Sequence, residues 1–267
     1  HDALPIFDWG IRGAAIATVS AQVIALLWQL KQFNNANELL HFRRGIFRLK
    51  RKIVFDSLAI GMSPFLMNLA ACLIVILINQ GLKKYGGDLA IGAFGIVNRL
   101  VFIVVMIVMG LNQGMQPIAG YNFGAKLYDR VNKVLKLTII YATCVTTFGF
   151  LVGMLAPNLV VGIFTSDAEL TELSATGLRI TVMFFPIIGF QMVTSNFFQS
   201  IGMAGKAIFL SLTRQMLILL PCLLILPHFF GVAGVWYSMP VSDLLASLIA
   251  LVMLVYQFRK FKTAAAH

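Results

Sequence analysis

Long apolar runs, punctuated by short clusters of charge, dominate the chain. Residues 13–30, 57–82, 137–166, 180–205 and 215–242 contain no Asp, Glu, Lys or Arg at all. Residues 89–125 carry only Arg99, and 231–258 only Asp243. A bilayer core about 30 Å thick is crossed by roughly 20 apolar helical residues, and each run reaches that length or falls a residue or two short. Charge gaps and Gly/Pro punctuation predict helices over 11–32, 53–80, 89–118, 134–156, 170–200, 206–227 and 232–258. The expected fold is all-α: a polytopic transmembrane helix bundle of about seven spans.

Composition agrees with the pattern. The 267 residues are 59% hydrophobic and 12% charged, with mean hydropathy +0.88. Soluble domains carry about 25% charged residues. That balance excludes disordered, collagen-like, coiled-coil and ordinary cytosolic classes, and it leaves nucleic acid a poor explanation for the net charge of +11. Cys72, Cys144 and Cys222 sit singly in separate spans, without CxxC spacing, and read as small buried hydrophobes. The chain opens at His1 within apolar sequence and without the basic and apolar regions of a signal peptide. It is therefore expected to be the C-terminal part of a longer protein.

Charge between the runs sets the expected orientation. The stretch between the first two spans carries Lys31, Arg43, Arg44, Arg48, Lys50, Arg51 and Lys52. The connection after the third span has Lys126, Arg130, Lys133 and Lys136, the tail has Arg259, Lys260 and Lys262, and the turn after the fifth has Lys206. The alternate loops hold only Lys83 and Lys84 as Lys or Arg. Basic short loops remain in the cytoplasm, which places the 34–52 linker and the C-terminus there. The linker divides the chain into residues 1–33, the last helix of one unit, and 53–267, a six-helix unit. A weak echo between the Gly-x-x-Gly openings and basic Gln-Phe ends of the first and seventh spans fits such a duplication.

Polar groups at half depth are costly, so they face a cavity or a partner. Counting about 1.5 Å per residue from the span ends puts Gln22, Asn68, Arg99, Gln191 and Asp243 at similar depth on different helices. Asn98, Asn112, Gln113 and Gln116 follow along the third span, with Asn196 on the fifth. Together Gln22, Asn68, Asn98, Arg99, Gln191, Asn196 and Asp243 are candidates for a substrate cavity. Interhelical packing or an Arg99–Asp243 clamp is the plainer reading. Arg214 lies nearer the cytoplasmic end, where snorkelling suffices. Pro64, Pro186 and Pro240 are expected to kink their spans. No His-Glu-x-x-His, Gly-x-Ser-x-Gly, phosphate-binding lysine loop or intramembrane carboxylate pair occurs, so neither an enzyme nor a metal site is expected.

One segment is specific. Residues 110–126, Gly-Leu-Asn-Gln-Gly-Met-Gln-Pro-Ile-Ala-Gly-Tyr-Asn-Phe-Gly-Ala-Lys, resemble the eighth-helix signature of the MATE (multidrug and toxic compound extrusion) family. Gly10-Ile11-Arg12-Gly13-Ala14-Ala15, Phe94-Gly95-Ile96-Val97-Asn98-Arg99, Phe184-Phe185-Pro186 and Phe197-Phe198-Gln199-Ser200-Ile201-Gly202 agree with it. The resemblance covers essentially the whole chain, as the sixth helix of an N-lobe and the six-helix C-lobe. It implies a monomeric transporter of the plasma (inner) membrane that exports organic cations or drugs against entering Na+ or H+, by rocking of two lobes. A fragment would not be competent alone. The coupling ion would be held in the missing N-terminal lobe, because the carboxylates that some sodium-coupled members carry deep in the seventh and tenth helices are absent here. Within the signature Gln116, Pro117, Gly120, Tyr121 and Gly124 read as a structural elbow: Gly114, Gly120 and Gly124 allow close backbone approach and Pro117 ends or kinks the helix. A flippase for lipid-linked oligosaccharides, which needs a more cationic cavity, and a non-transporting scaffold are the alternatives.

Overall fold

A computed structural model describes residues 10–35, 41 and 50–265. Every regular element among them is helical. Helix α1 (Gly10–Phe33) forms from the first apolar run. Its large apolar side chains, among them Ile24, Leu27 and Trp28, are exposed. Most of the basic 34–52 linker lies outside the described residues. The chain divides into two compact units, residues 1–60 and 61–267, and the second holds nearly all the buried core.

Helix α2 (Arg51–Gly124) joins the second and third predicted spans. The loop expected around residues 81–88 is helical except at Gly87, where φ is 69° and ψ −164°. Those dihedrals are essentially reserved for glycine, so one residue suffices to divide the helix into limbs 51–86 and 88–124. The apolar part, Asn68–Gly124, is 57 residues, about 85 Å if straight. That is far more than one crossing. The two limbs supply one core: Ile74, Ile78 and Leu82 join the same cluster as Ala90, Phe94 and Val97.

Tyr128–Leu155 (α3) is followed by the short α4 (Pro157–Gly162). The fifth predicted span is α5 (Ala168–Val182) and α6 (Phe185–Ser200), bent by 55° at Met183–Phe184. This is the break that Pro186 predicts; Pro64 and Pro240 instead lie within continuous helix. Asp167 caps α5, accepting from the backbone N–H of Leu170 at 2.9 Å. The sixth span begins as α7 (Ala204–Leu212), widens to a π-helical segment at Thr213–Leu219, and resumes as α8 (Leu220–Phe230) with Pro221 in its first turn. The last is α9 (Val232–Ala265). Among the described residues four helical stretches are long and apolar enough to cross a membrane, five with the bent α5–α6 pair, and Asn68–Gly124, divided at Gly87, has the length for two crossings, a total close to the expected count of about seven.

Two apolar clusters are stacked along this lobe. One joins both limbs of α2 to Leu178, Val182, Phe185, Ile188, Leu219, Leu223, Val235 and Trp236. The other joins Val108, Met115, Leu135, Ala142, Val193, Phe197, Phe198, Leu210, Ala250 and Leu254. Backbones come very close between them. A Cβ on Gly189 would lie 2.7 Å from Thr146 Oγ1 and 2.9 Å from the Ala142 carbonyl oxygen.

A polar layer inside the helical lobe

Between the residues that build the two clusters, four elements each carry buried polar side chains. These are Thr146 on α3, Gln191, Thr194 and Ser195 on α6, Thr213 on the π-helical segment, and Ser242, Asp243 and Ser247 on α9. Several serve their own helix: Thr146 donates to the Ala142 carbonyl at 3.0 Å, Thr194 to Phe190 at 2.8 Å, and Ser247 to Asp243 at 2.6 Å. Others tie helices together. The Ser195 and Ser211 hydroxyls lie 3.2 Å apart, joining α6 to α7.

The layer's charged centre is Asp243, only 5% exposed, with Arg214 33% exposed. Nε of Arg214 donates to Oδ1 of Asp243 at 2.6 Å, and its Nη2 lies at the same distance. The partner expected from depth, Arg99, is not the one used: it is exposed, without a hydrogen-bond or ion-pair partner among the described residues. Residue 97 is buried and residue 99, 200° further round the helix, points the opposite way. Arg214, expected merely to snorkel, turns inward instead. The π-helical turn that carries it is a departure often found at functional positions, and it also buries Thr213 Oγ1 and Gln215 Oε1 without partners.

The other candidates separate into groups. Gln191 is buried in the layer. Asn196 donates to the Met192 carbonyl at 3.0 Å and accepts from Gln116 Nε2 at 3.4 Å, linking α6 to α2. One turn before Gln116, Asn112 is fully buried with both amide atoms unpartnered. Asn68 and Asn98 are exposed on α2. Gln22 is exposed on α1, in the other unit. Lys206 lies half-buried at the start of α7, 2.5 Å from Oε1 of the buried Gln257 and over the Phe198 ring. Depth along a span carries no signal for the partner of either Arg214 or Lys206.

The elbow differs in detail from expectation. Helix α2 runs through Pro117 to Gly124, and the turn follows at residues 125–127, where Lys126 has φ 59°. The Pro117 ring lies on the exposed side, where the helix can bow away from it. Of the signature glycines Gly120 alone needs its missing side chain: a Cβ there would meet the Ser200 carbonyl oxygen at 2.9 Å, whereas Gly114 and Gly124 face open space. Tyr121 is exposed, and Asn122 is buried with Nδ2 donating to the Ile118 carbonyl.

The family model MatE matches residues 59–225, the greater part of this lobe. The chain belongs to the MATE family. MepA, a multidrug export protein of Staphylococcus aureus strain MSSA476, is 27% identical over 257 residues, covering 95% of this chain and 55% of MepA. MepA of Staphylococcus saprophyticus is 24% identical with the same coverage. Among solved structures the MATE multidrug transporter DinF-BH, in complex with rhodamine 6G, is 36% identical with TM-score 0.80 over 94% of this chain and 56% of DinF-BH. An outward-facing multidrug-resistance MATE transporter has the same fold, with TM-score 0.82. The chain thus spans about half the length of the MATE relatives it matches, and MATE proteins form a transporter family.

Proposed function

We propose that this chain is the last N-lobe helix and the C-lobe of a drug-efflux antiporter of the plasma membrane, with its linker and C-terminus cytoplasmic. The observation that carries the proposal is the likeness over 94% of the chain, at 36% identity, to a multidrug transporter solved with rhodamine 6G. Organic cations or drugs leave, Na+ or H+ enters, and two lobes rock about a central cavity. The intact protein works as a monomer, and this chain is not competent alone.

The coupling ion binds in the other lobe. Asp243, the one buried acid among the described residues, already has the Arg214 guanidinium at 2.6 Å. A carboxylate engaged by a fixed cation gains little by taking Na+ as well. The apolar clusters on either side of the layer let the lobe move as one body, since a packed interior resists bending.

The test is efflux by the full-length protein in bacteria lacking their own exporters. Loss of preloaded ethidium or rhodamine 6G, driven by an imposed Na+ or proton gradient and collapsed when that gradient is abolished, is the expected result. Retention of both dyes under either gradient refutes the reading.

A further inference from the structure

Arg99 is left over from every interaction described above. It lies twelve residues after Gly87, about 18 Å along the helix, which is close to half of a hydrocarbon core about 30 Å thick whose edge lies at Gly87. Its side chain is exposed and unpartnered among the described residues. An arginine facing lipid tails at that depth costs several kcal/mol; one facing a water-filled route does not. Its surroundings favour the route. Gly95, Met106, Gly110 and Gln113 share the centre of the same exposed face, and a Cβ on Gly95 or Gly110 would touch nothing. Phe102, Ile103 and Ile107 flank this face as exposed bulky apolar residues, and the two glycines and the Gln113 amide interrupt them.

We infer that Arg99 is a specificity-determining residue of the transport route, and that it receives a single carboxylate on an otherwise flat, apolar substrate. The inference rests on the efflux reading and goes beyond it by naming a chemical class. A guanidinium offers two parallel N–H donors that match a carboxylate. One arginine suits one carboxylate better than a diphosphate, which calls for several cations. Phe102 and Met106, exposed within the next two turns, offer apolar surface for the substrate's flat body, and Asn98 is exposed about 100° round the helix from Arg99.

The experiment uses the full-length transporter in proteoliposomes and two dyes that differ in one group: rhodamine 6G, an ethyl ester, and its free acid. Wild type is expected to carry both. Arg99→Gln lowers the ratio of acid to ester transport by about tenfold or more, the size of one charge-assisted hydrogen bond. Arg99→Lys, which keeps the charge but loses the fork, gives a smaller fall, and supplies the reading should the glutamine variant not fold. An unchanged ratio overturns the inference, whether both rates fall together or neither does. Wild type carrying only the ester overturns it too, while leaving efflux standing. Wild type carrying neither dye removes the efflux reading, and this inference with it.

Discussion

Breaking the Arg214–Asp243 pair from either side should have unequal costs. Asp243 is 5% exposed and Arg214 33%, so the carboxylate depends more on its partner. Removing one member of a buried pair costs about 3–5 kcal/mol, because the other is left charged in a poor solvent. Arg214→Gln strands the buried carboxylate and belongs at the upper end, about 4 kcal/mol. Asp243→Asn strands a guanidinium that is a third exposed, and should cost about 2–3 kcal/mol. The double variant leaves two neutral amides able to bond each other, and should cost at least about 2 kcal/mol less than the two singles together. The assay is thermal unfolding of the detergent-solubilised, full-length protein, followed by monodisperse elution. With the lobe of residues 61–267 as the unfolding unit, 1 kcal/mol corresponds to about 2–4 °C, so Arg214→Gln should lower the midpoint of that unit by roughly 8–16 °C. Strictly additive losses would refute the coupling. A larger loss for Asp243→Asn than for Arg214→Gln would refute the asymmetry drawn from burial.

Other consequences are smaller and local. Gly189→Ala pushes a methyl against Thr146 and the Ala142 carbonyl oxygen, and should cost about 1–3 kcal/mol in the same thermal assay. Gly87→Ala forces a side chain into the conformation at φ 69°, at about 1–3 kcal/mol, whereas Gly114→Ala, on an open helical face, should be neutral or stabilising. Lys206→Met removes the hydrogen bond to Gln257 but keeps an apolar stem over Phe198, so its cost should stay near about 1 kcal/mol; Gln257→Leu should cost no more than that.

The spans were legible because lipid demands long uncharged helices, and charge gaps report them directly. Pro186 was legible in part: proline removes an N–H and crowds the preceding turn, and the helix breaks at Met183–Phe184 before it, while the same chemistry at Pro64 and Pro240 leaves the helix continuous. Gly87 was not, since one residue in a rare conformation divides a helix without the polar loop that usually marks a connection. The ion pair was misassigned because depth is only one of two coordinates. Arg99 and Asp243 share a depth, but Arg99 is rotated to the outer face of its helix. Arg214 lies about five residues deeper from the Gly231 turn than Asp243 does, roughly 7 Å, and its long side chain spans the difference. A helical wheel drawn from the buried residues Ala93, Val97 and Val108 would have shown Arg99 facing away. The π-helical turn at Thr213–Leu219 left no sign in the sequence beyond Pro221 just after it.

Transport past Arg99 requires the exposed face of α2 to meet water at half depth while its flank meets lipid. Cysteine accessibility reads this directly. In the full-length protein freed of Cys72, Cys144 and Cys222, Asn98→Cys and Ile107→Cys are each exposed to a membrane-impermeant maleimide in intact membranes. Rapid labelling at 98 with protection at 107 is the predicted result; protection at both, relieved only by detergent, would mean that this face of the lobe is turned to lipid and carries no route.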